Sequence, residues 1–186
     1  MAETPNSYCQ FVADKGPDNL HRQYHDFEYG FPIHSDDELF GRLLLEINQA
    51  GLSWNTILVK KENFRVAYAN FSIEAVANFG TEDRERLLND AGIIRNKLKV
   101  NAAIHNAQQI LQLQADHGSF ENWLDYNHPK TKEEWVKLFK KTFKFTGGEI
   151  TNEFLMSTGY LAGAHEESCP IYPKVLAANP KWAENR

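Results

Sequence analysis

Residues 35–51 read SDDELFGRLLLEINQAG, and this stretch decides the fold. Ser35 followed by Asp36, Asp37 and Glu38 is a helix start. The hydroxyl caps a free backbone N–H, Glu38 stands where it can reach back, and acids suit the positive helix end. Leu39, Phe40, Leu43, Leu44 and Ile47 then recur at helical spacing until Ala50-Gly51 breaks the run. Working outward, Thr131 with Glu134 repeats the capping box, and Ser72 and Thr81 are N-caps that open 73–79 and 82–89. Further helical patterns cover 96–115, with Leu98, Ala102, Ile104 or His105, Ile110 and Leu113 on one side, then 133–143 and 150–161. No segment alternates persuasively as a strand, and Phe143-Lys144-Phe145 is too short to build a sheet. The expected fold is all-α.

At 186 residues the chain is expected to form one domain, 1–186, taking about 150 residues per domain as the prior. Hydrophobic residues at 42% and charged residues at 24% suit a globular protein with a real core. Leu43-Leu44-Leu45 is cut off by Glu46, far short of the roughly 20 apolar residues that span a bilayer. The start MAETPNSYCQ lacks the basic and apolar regions of a secretory signal, so a cytoplasmic location and no membrane partner are expected. The net charge of −5 argues against a protein that coats nucleic acid with its whole surface. Yet 84–101 holds five basic residues against two acidic and 130–144 holds six against two, so a local anion-binding patch is compatible with the total.

Several groupings carry chemistry. Asp90-Ala91-Gly92-Ile93-Ile94-Arg95 lies between two helical patterns, with Gly92 free to take positive φ. Such a hairpin offers backbone N–H groups to a phosphate, and Arg95, Lys97 and Lys99 follow as cations. An ordinary helix connection with a solvated basic face is the alternative. Glu46 falls beside Leu39, Leu43 and Ala50, at the edge of the apolar stripe, where a carboxylate needs a partner. Trp54 follows eight residues later, just past Gly51. An aromatic plate beside an anion suits a flat cationic ligand, although a helix-edge ion pair and a core Trp are the plainer readings. In Tyr24-His25-Asp26-Phe27-Glu28-Tyr29-Gly30, His25 with Asp26 could act as an oriented base, but no nucleophile elbow accompanies them. Gly147-Gly148 lacks the Lys-Ser/Thr of a nucleotide-phosphate loop. Cys9 and Cys169 are two free thiols, a disulfide, or metal ligands. His165 and Cys169, four apart as on one side of a helical turn, would complete with Cys9 and His25 a closed Cys2His2 set of the kind zinc accepts.

Taken together, the chain resembles the DNA-3-methyladenine glycosylase I family within the helix-hairpin-helix glycosylases. The resemblance is carried by residues 24–30, by Glu46 to Trp54, by 90–96, by Lys144-Phe145-Thr146-Gly147, and by His165 with Cys169. It runs from Cys9 to Cys169, with Gln49-Ala50-Gly51-Leu52-Ser53-Trp54 its most specific string.

That resemblance implies a monofunctional enzyme, a monomer, that hydrolyses the N-glycosidic bond of 3-methyladenine in double-stranded alkylated DNA and leaves an abasic site. Glu46 and Tyr24 would be catalytic. Trp54, Tyr29 and Phe11 would join them in holding the base, with Trp54 and Tyr24 gripping its faces or edge. Gly92, Arg95, Lys97 and Lys99 would meet the DNA. Cys9, His25, His165 and Cys169 would hold a structural zinc that ties the N- and C-terminal segments. Ile47 stands where the family often has a small residue, and Tyr29 and Phe11 stand where larger aromatics are usual. A glycosylase of altered base range and a non-catalytic DNA-binding module are the rival readings. A zinc hydrolase is disfavoured, since four protein ligands leave no place for water.

Overall fold

The computed structural model describes residues 5–184 and contains, among them, helices and turns with no strand. In chain order the helices are α1 (Tyr8–Val12), α2 (Leu20–Phe27), α3 (Asp36–Gln49), α4 (Trp54–Ala67), α5 (Ile73–Ala77) and α6 (Thr81–Asn89). They continue with α7 (Lys97–His117), α8 (Phe120–Asn127), α9 (Lys132–Thr142), α10 (Gly148–Ser157) and α11 (Tyr172–Ala177). The chain forms two compact units, 34–154 and the two terminal segments 1–33 with 155–186.

The larger unit is organised around α3. The Ser35 hydroxyl accepts from the Glu38 N–H at 3.4 Å, whereas the Glu38 carboxylate, expected to reach back to the cap, instead accepts from both Arg65 guanidinium nitrogens at 2.7 and 2.8 Å. Every residue from Leu39 to Asn48 is buried, so α3 is covered on all faces and not along one stripe alone. Asp36 extends the order outward by accepting from the Phe120 and Glu121 N–H groups, which caps α8. An aromatic cluster of Phe120, Trp123, Phe139, Phe143 and Phe154 then joins α8, α9 and α10. Dispersion and apolar burial in such clusters, not helix propensity, hold short helices in place.

Caps and boundaries follow physical causes. The Thr131–Glu134 box forms in both directions, at 3.3 and 2.8 Å. Thr81, expected as an N-cap, is instead the first helical residue, and Gly80 takes the cap position. Asp83 accepts the Gly80 N–H at 3.0 Å, the acid's half of a capping box, and no side chain caps the start of α6. The final helical pattern, expected over 150–161, begins at Gly148 and ends at Ser157.

The smaller unit packs α1 against α2 and joins them to the segment after Ser157. Gly30, at φ +85°, donates to Ser157 O at 3.0 Å. Any Cβ at Gly30 would fall 2.8 Å from Ala164 Cβ and 3.3 Å from the His165 ring. Glycine is therefore required there both for its dihedral and for space.

Candidate functional site

In the terminal unit, Cys9, His25, His165 and Cys169 converge, with one donor atom from each lying within 4.8 Å of the others. Cys9 comes from α1 and His25 from α2. His165 and Cys169 lie in turns, with the Cys169 N–H donating to Glu166 O at 2.9 Å. The helical turn expected for that pair is thus replaced by an irregular one that still presents both side chains. The sulfur–nitrogen separations are 3.4 Å for Cys9–His25 and 3.7 Å for the other three pairs. Four donors so spaced are the corners of a tetrahedron around one ion.

The remaining ring nitrogens fix which atoms face that centre. His25 Nδ1 is 2.7 Å from Asp26 Oδ1, and His165 Nε2 is 2.7 Å from Tyr29 O. Carboxylates and carbonyls only accept, so both of these nitrogens carry the proton and donate. The lone pairs of His25 Nε2 and His165 Nδ1 therefore point to the sulfurs, the arrangement that an ion's outer sphere imposes. Asp26 is itself held by Arg22, which keeps its carboxyl below the usual range against the opposing effect of burial. Burial pushes the Cys9 thiol up to about 11, with Cys169 beside it adding to the push. A thiol in that state needs a cation to ionise, and Cys9, His25, His165 and Cys169 form a largely buried Cys2His2 cluster that could hold one. His25 as a catalytic base is corrected by the same geometry, since its free nitrogen faces Cys9 and Cys169.

Beside this centre lies an aromatic group in the same unit. Tyr24 and Tyr29 are buried with ring centroids 5.6 Å apart, and Tyr8 lies edge-on to both, at 6.3 and 5.5 Å. Phe11 stacks on Tyr8 at 6.0 Å, remains 36% exposed, and carries the Lys15 ammonium over its face. Tyr8 escaped the sequence reading because it belongs to no dense motif, although its place one residue before Cys9 was a usable sign.

The larger unit carries Glu46 and Trp54. Glu46 is 4% exposed, and burial pushes its carboxyl up to about 8. Arg42, one helical turn before it, opposes that rise, and Glu153 reinforces it. The carboxyl consequently holds its proton near neutral pH. The turn that follows is tightly defined. The Leu52 N–H donates to Gln49 O at 2.7 Å, Gln49 Nε2 donates to Leu52 O at 2.9 Å, and Ser53 caps α4, which opens on Trp54. Ile47 is 2% exposed and fully within the packing of α3.

The hairpin differs from expectation in two respects. Gly92 is not among the residues at positive φ. Glycine is needed there for space, because a Cβ would fall 2.9 Å from Asp90 Oδ1 and 3.2 Å from Asn63. Its N–H already donates to Asp90 at 2.7 Å, so it does not point out towards a phosphate. Its carbonyl and that of Ala91 accept from Lys60, at 3.2 and 2.9 Å, and Asn63 also donates to Gly92 O. Arg95 and Lys97 are exposed. Lys99, expected as a third phosphate contact, is 4% exposed and turned inward, with Nζ donating to Asn48 O and Ala50 O. Along a helix Lys97 and Lys99 stand about 200° apart, which sends them to opposite sides.

The structure thus combines an all-helical fold, a Cys2His2 cluster on the terminal segments and a buried carboxyl before a Gly–Leu–Ser–Trp turn. Comparison with known proteins gives the family. The Methyladenine glycosylase family model matches residues 14–137, and the chain belongs to that family. It is 37% identical over 184 residues to DNA-3-methyladenine glycosylase 1 of Escherichia coli (strain K12), covering 89% of this chain and 96% of that one. It is 31% identical over 180 residues to DNA-3-methyladenine glycosylase of Haemophilus influenzae (strain ATCC 51907 / DSM 11121 / KW20 / Rd), covering 87% and 96%. A similar solved structure is a tyrosine-to-phenylalanine variant of 3-methyladenine DNA glycosylase I in complex with 3-methyladenine. The TM-score is 0.77 and the identity 31%, over 86% of this chain and 95% of that one.

Proposed function

We propose that this protein excises 3-methyladenine from double-stranded alkylated DNA as a monomer, releasing the free base and leaving an abasic site. The observation that carries the reading is Glu46, a carboxyl buried in the last turn of a packed helix, just before the turn that delivers Trp54. Methylation at N3 makes the base cationic and a ready leaving group, so no strong general acid is required. The flipped base is read by its edge and faces, and flipping costs least for a damaged base. Glu46 gives up its proton to solvent as the cation binds, then accepts hydrogen bonds from the base N–H groups. Trp54, delivered by the turn after Glu46, supplies aromatic surface for a flat cation. The C1′–N9 bond breaks with its electron pair going to the base, which neutralises the base's charge. A water oxygen then bonds to C1′ of the oxocarbenium-like sugar and loses its proton to solvent. Neutral adenine gives the buried carboxyl no cation to meet, and the difference in binding is the selectivity.

Duplex DNA is engaged through the exposed Arg95 and Lys97 of the hairpin, within the cellular compartment that holds DNA. The metal proposed for the Cys2His2 centre is zinc. Zinc–sulfur bonds of about 2.3 Å and zinc–nitrogen bonds of about 2.0–2.1 Å at tetrahedral angles place S and N about 3.6 Å apart. The separations of 3.4–3.7 Å agree. With four protein ligands the ion is structural, holding α1 and α2 to the turns around His165 and Cys169. The test of function is chromatography of bases released from methylated duplex DNA. Free 3-methyladenine with intact strands is expected, and no released base, or strands cut without further treatment, would refute the proposal.

A further inference from the structure

We infer that Lys99 is a positioning residue for base excision, its ammonium fixing the turn between the Glu46 helix and Trp54 and tying that turn to the DNA-binding hairpin. The inference rests on the glycosylase reading above and adds a residue to it.

Helix α3 ends at Gln49 with no basic residue of its own in the last turn, and its final carbonyls lack helical partners. Ala50 leaves the helix at φ −50°, ψ 118°, so the carbonyls near the break diverge. Lys99 Nζ spans that divergence, donating to Asn48 O at 2.9 Å and to Ala50 O at 2.8 Å. A cation there also meets the negative end of the α3 dipole. The Phe145 ring lies 5.9 Å from the ammonium, and the residue is buried.

The same lysine sits in the first turn of α7, where Asn96 Oδ1 accepts its N–H at 3.2 Å, immediately after the hairpin. The other end of the pocket turn is held to the hairpin as well. Lys60 and Asn63 of α4, the helix that opens on Trp54, donate to the Ala91 and Gly92 carbonyls. The path therefore closes on itself: hairpin, α7, Lys99, end of α3, turn, α4, hairpin. Displacement of the hairpin on a phosphate backbone is transmitted to both sides of the turn that separates Glu46 from Trp54. Of these three anchors, Lys99 touches the turn itself.

The test compares Lys99→Met, which keeps an apolar stem and loses the donors, with Lys99→Arg, which keeps them. For the Met variant, kcat on methylated duplex is expected to fall about 100-fold, the usual consequence of a misplacement near 1 Å. Affinity for free 3-methyladenine, read by calorimetry, is expected to fall about tenfold. Affinity for unmodified duplex and its salt slope are expected to match the wild type, because no phosphate contact is lost. The Arg variant is expected to recover most of the lost kcat. Wild-type excision by the Met variant overturns the inference, as does a salt slope lowered by about one with base affinity intact, the signature of a phosphate contact. Should the Met variant not fold, the wild-type Lys99 ammonium resonance is followed by NMR. A shift on adding free 3-methyladenine is expected, and an unmoved signal overturns the inference. A wild-type protein that neither binds free 3-methyladenine nor releases it refutes the glycosylase reading instead, independently of Lys99.

Discussion

Replacing Glu46 by Gln keeps the shape of the side chain and removes its ability to ionise. Two effects of opposite sign follow from the same burial. Burial puts the folded-state proton equilibrium of Glu46 at about 8, above the ordinary carboxyl value of 4.5. Below 4.5 both folded and unfolded chains hold the proton, and the residue costs nothing. Between 4.5 and 8 the unfolded chain releases it while the folded chain retains it, so rising pH favours unfolding. At about 1.4 kcal/mol for each pH unit of that window, the cost accumulates to a ceiling of about 5 kcal/mol by pH 8 and then levels off. Glu46→Gln removes this cost. Its stability relative to the wild type is expected to grow as pH rises from 5 to 8, read as the difference between the two denaturant midpoints so that all other groups cancel. In the same samples, excision of 3-methyladenine is expected to fall by roughly 10- to 150-fold, the loss of hydrogen bonds to a charged group worth about 1.5–3 kcal/mol. Wild-type kcat/KM is expected to rise with pH up to about 8, and the variant's residual activity to be flat over that range. A variant that is less stable than the wild type at pH 8, or one that excises at full rate, would refute the assignment of a buried, proton-holding carboxyl to base recognition.

Other expectations follow from the two units. Purified protein should contain one zinc per chain by atomic absorption, and Cys169→Ser should lose it together with several kcal/mol of stability; a metal-free preparation of equal stability would count against the centre. Asp26→Asn should weaken zinc affinity about 10- to 100-fold by loosening His25, as measured by competition with a chromophoric chelator; an unchanged affinity would remove Asp26 from the outer sphere. Reversing both Arg95 and Lys97 should weaken binding to any duplex and flatten its salt dependence by about two in the log–log slope, and an unchanged slope would place the DNA face elsewhere.

The helices that were legible in the sequence are those with a polar start followed by apolar residues at helical spacing. Ser35 and Thr131 announce α3 and α9 because a hydroxyl just ahead of an apolar stripe caps the free N–H groups of a helix start, although only Glu134 completes the reciprocal box while Glu38 turns to Arg65. Helix α4 was not legible: its buried positions Ile57, Leu58, Phe64 and Ala67 are interrupted by Lys60, Lys61 and Glu62, and no clear stripe results. Helices α1, α2, α8 and α11 are short and owe their form to tertiary contacts such as Asp36 on the start of α8. At the site, Glu46 was legible as a carboxyl at the margin of an apolar face, and its helix-turn neighbour Arg42 was available by the same spacing. Lys99 was misjudged because adjacent basic residues in a sequence look like one patch. The helical rotation between Lys97 and Lys99 separates a surface cation from a buried strut. His165 and Cys169 show the converse, since their spacing suggested a helix and the chain achieves the same convergence through turns.

Titration of the Glu46 side-chain carboxyl by carbon-13 NMR, with and without 3-methyladenine, tests the role of that buried acid most directly. A midpoint near 8 in the free protein, falling when the N–H groups of the bound base donate to the carboxylate, is the predicted result. A midpoint near the ordinary 4.5, or one that the base leaves unmoved, would contradict it.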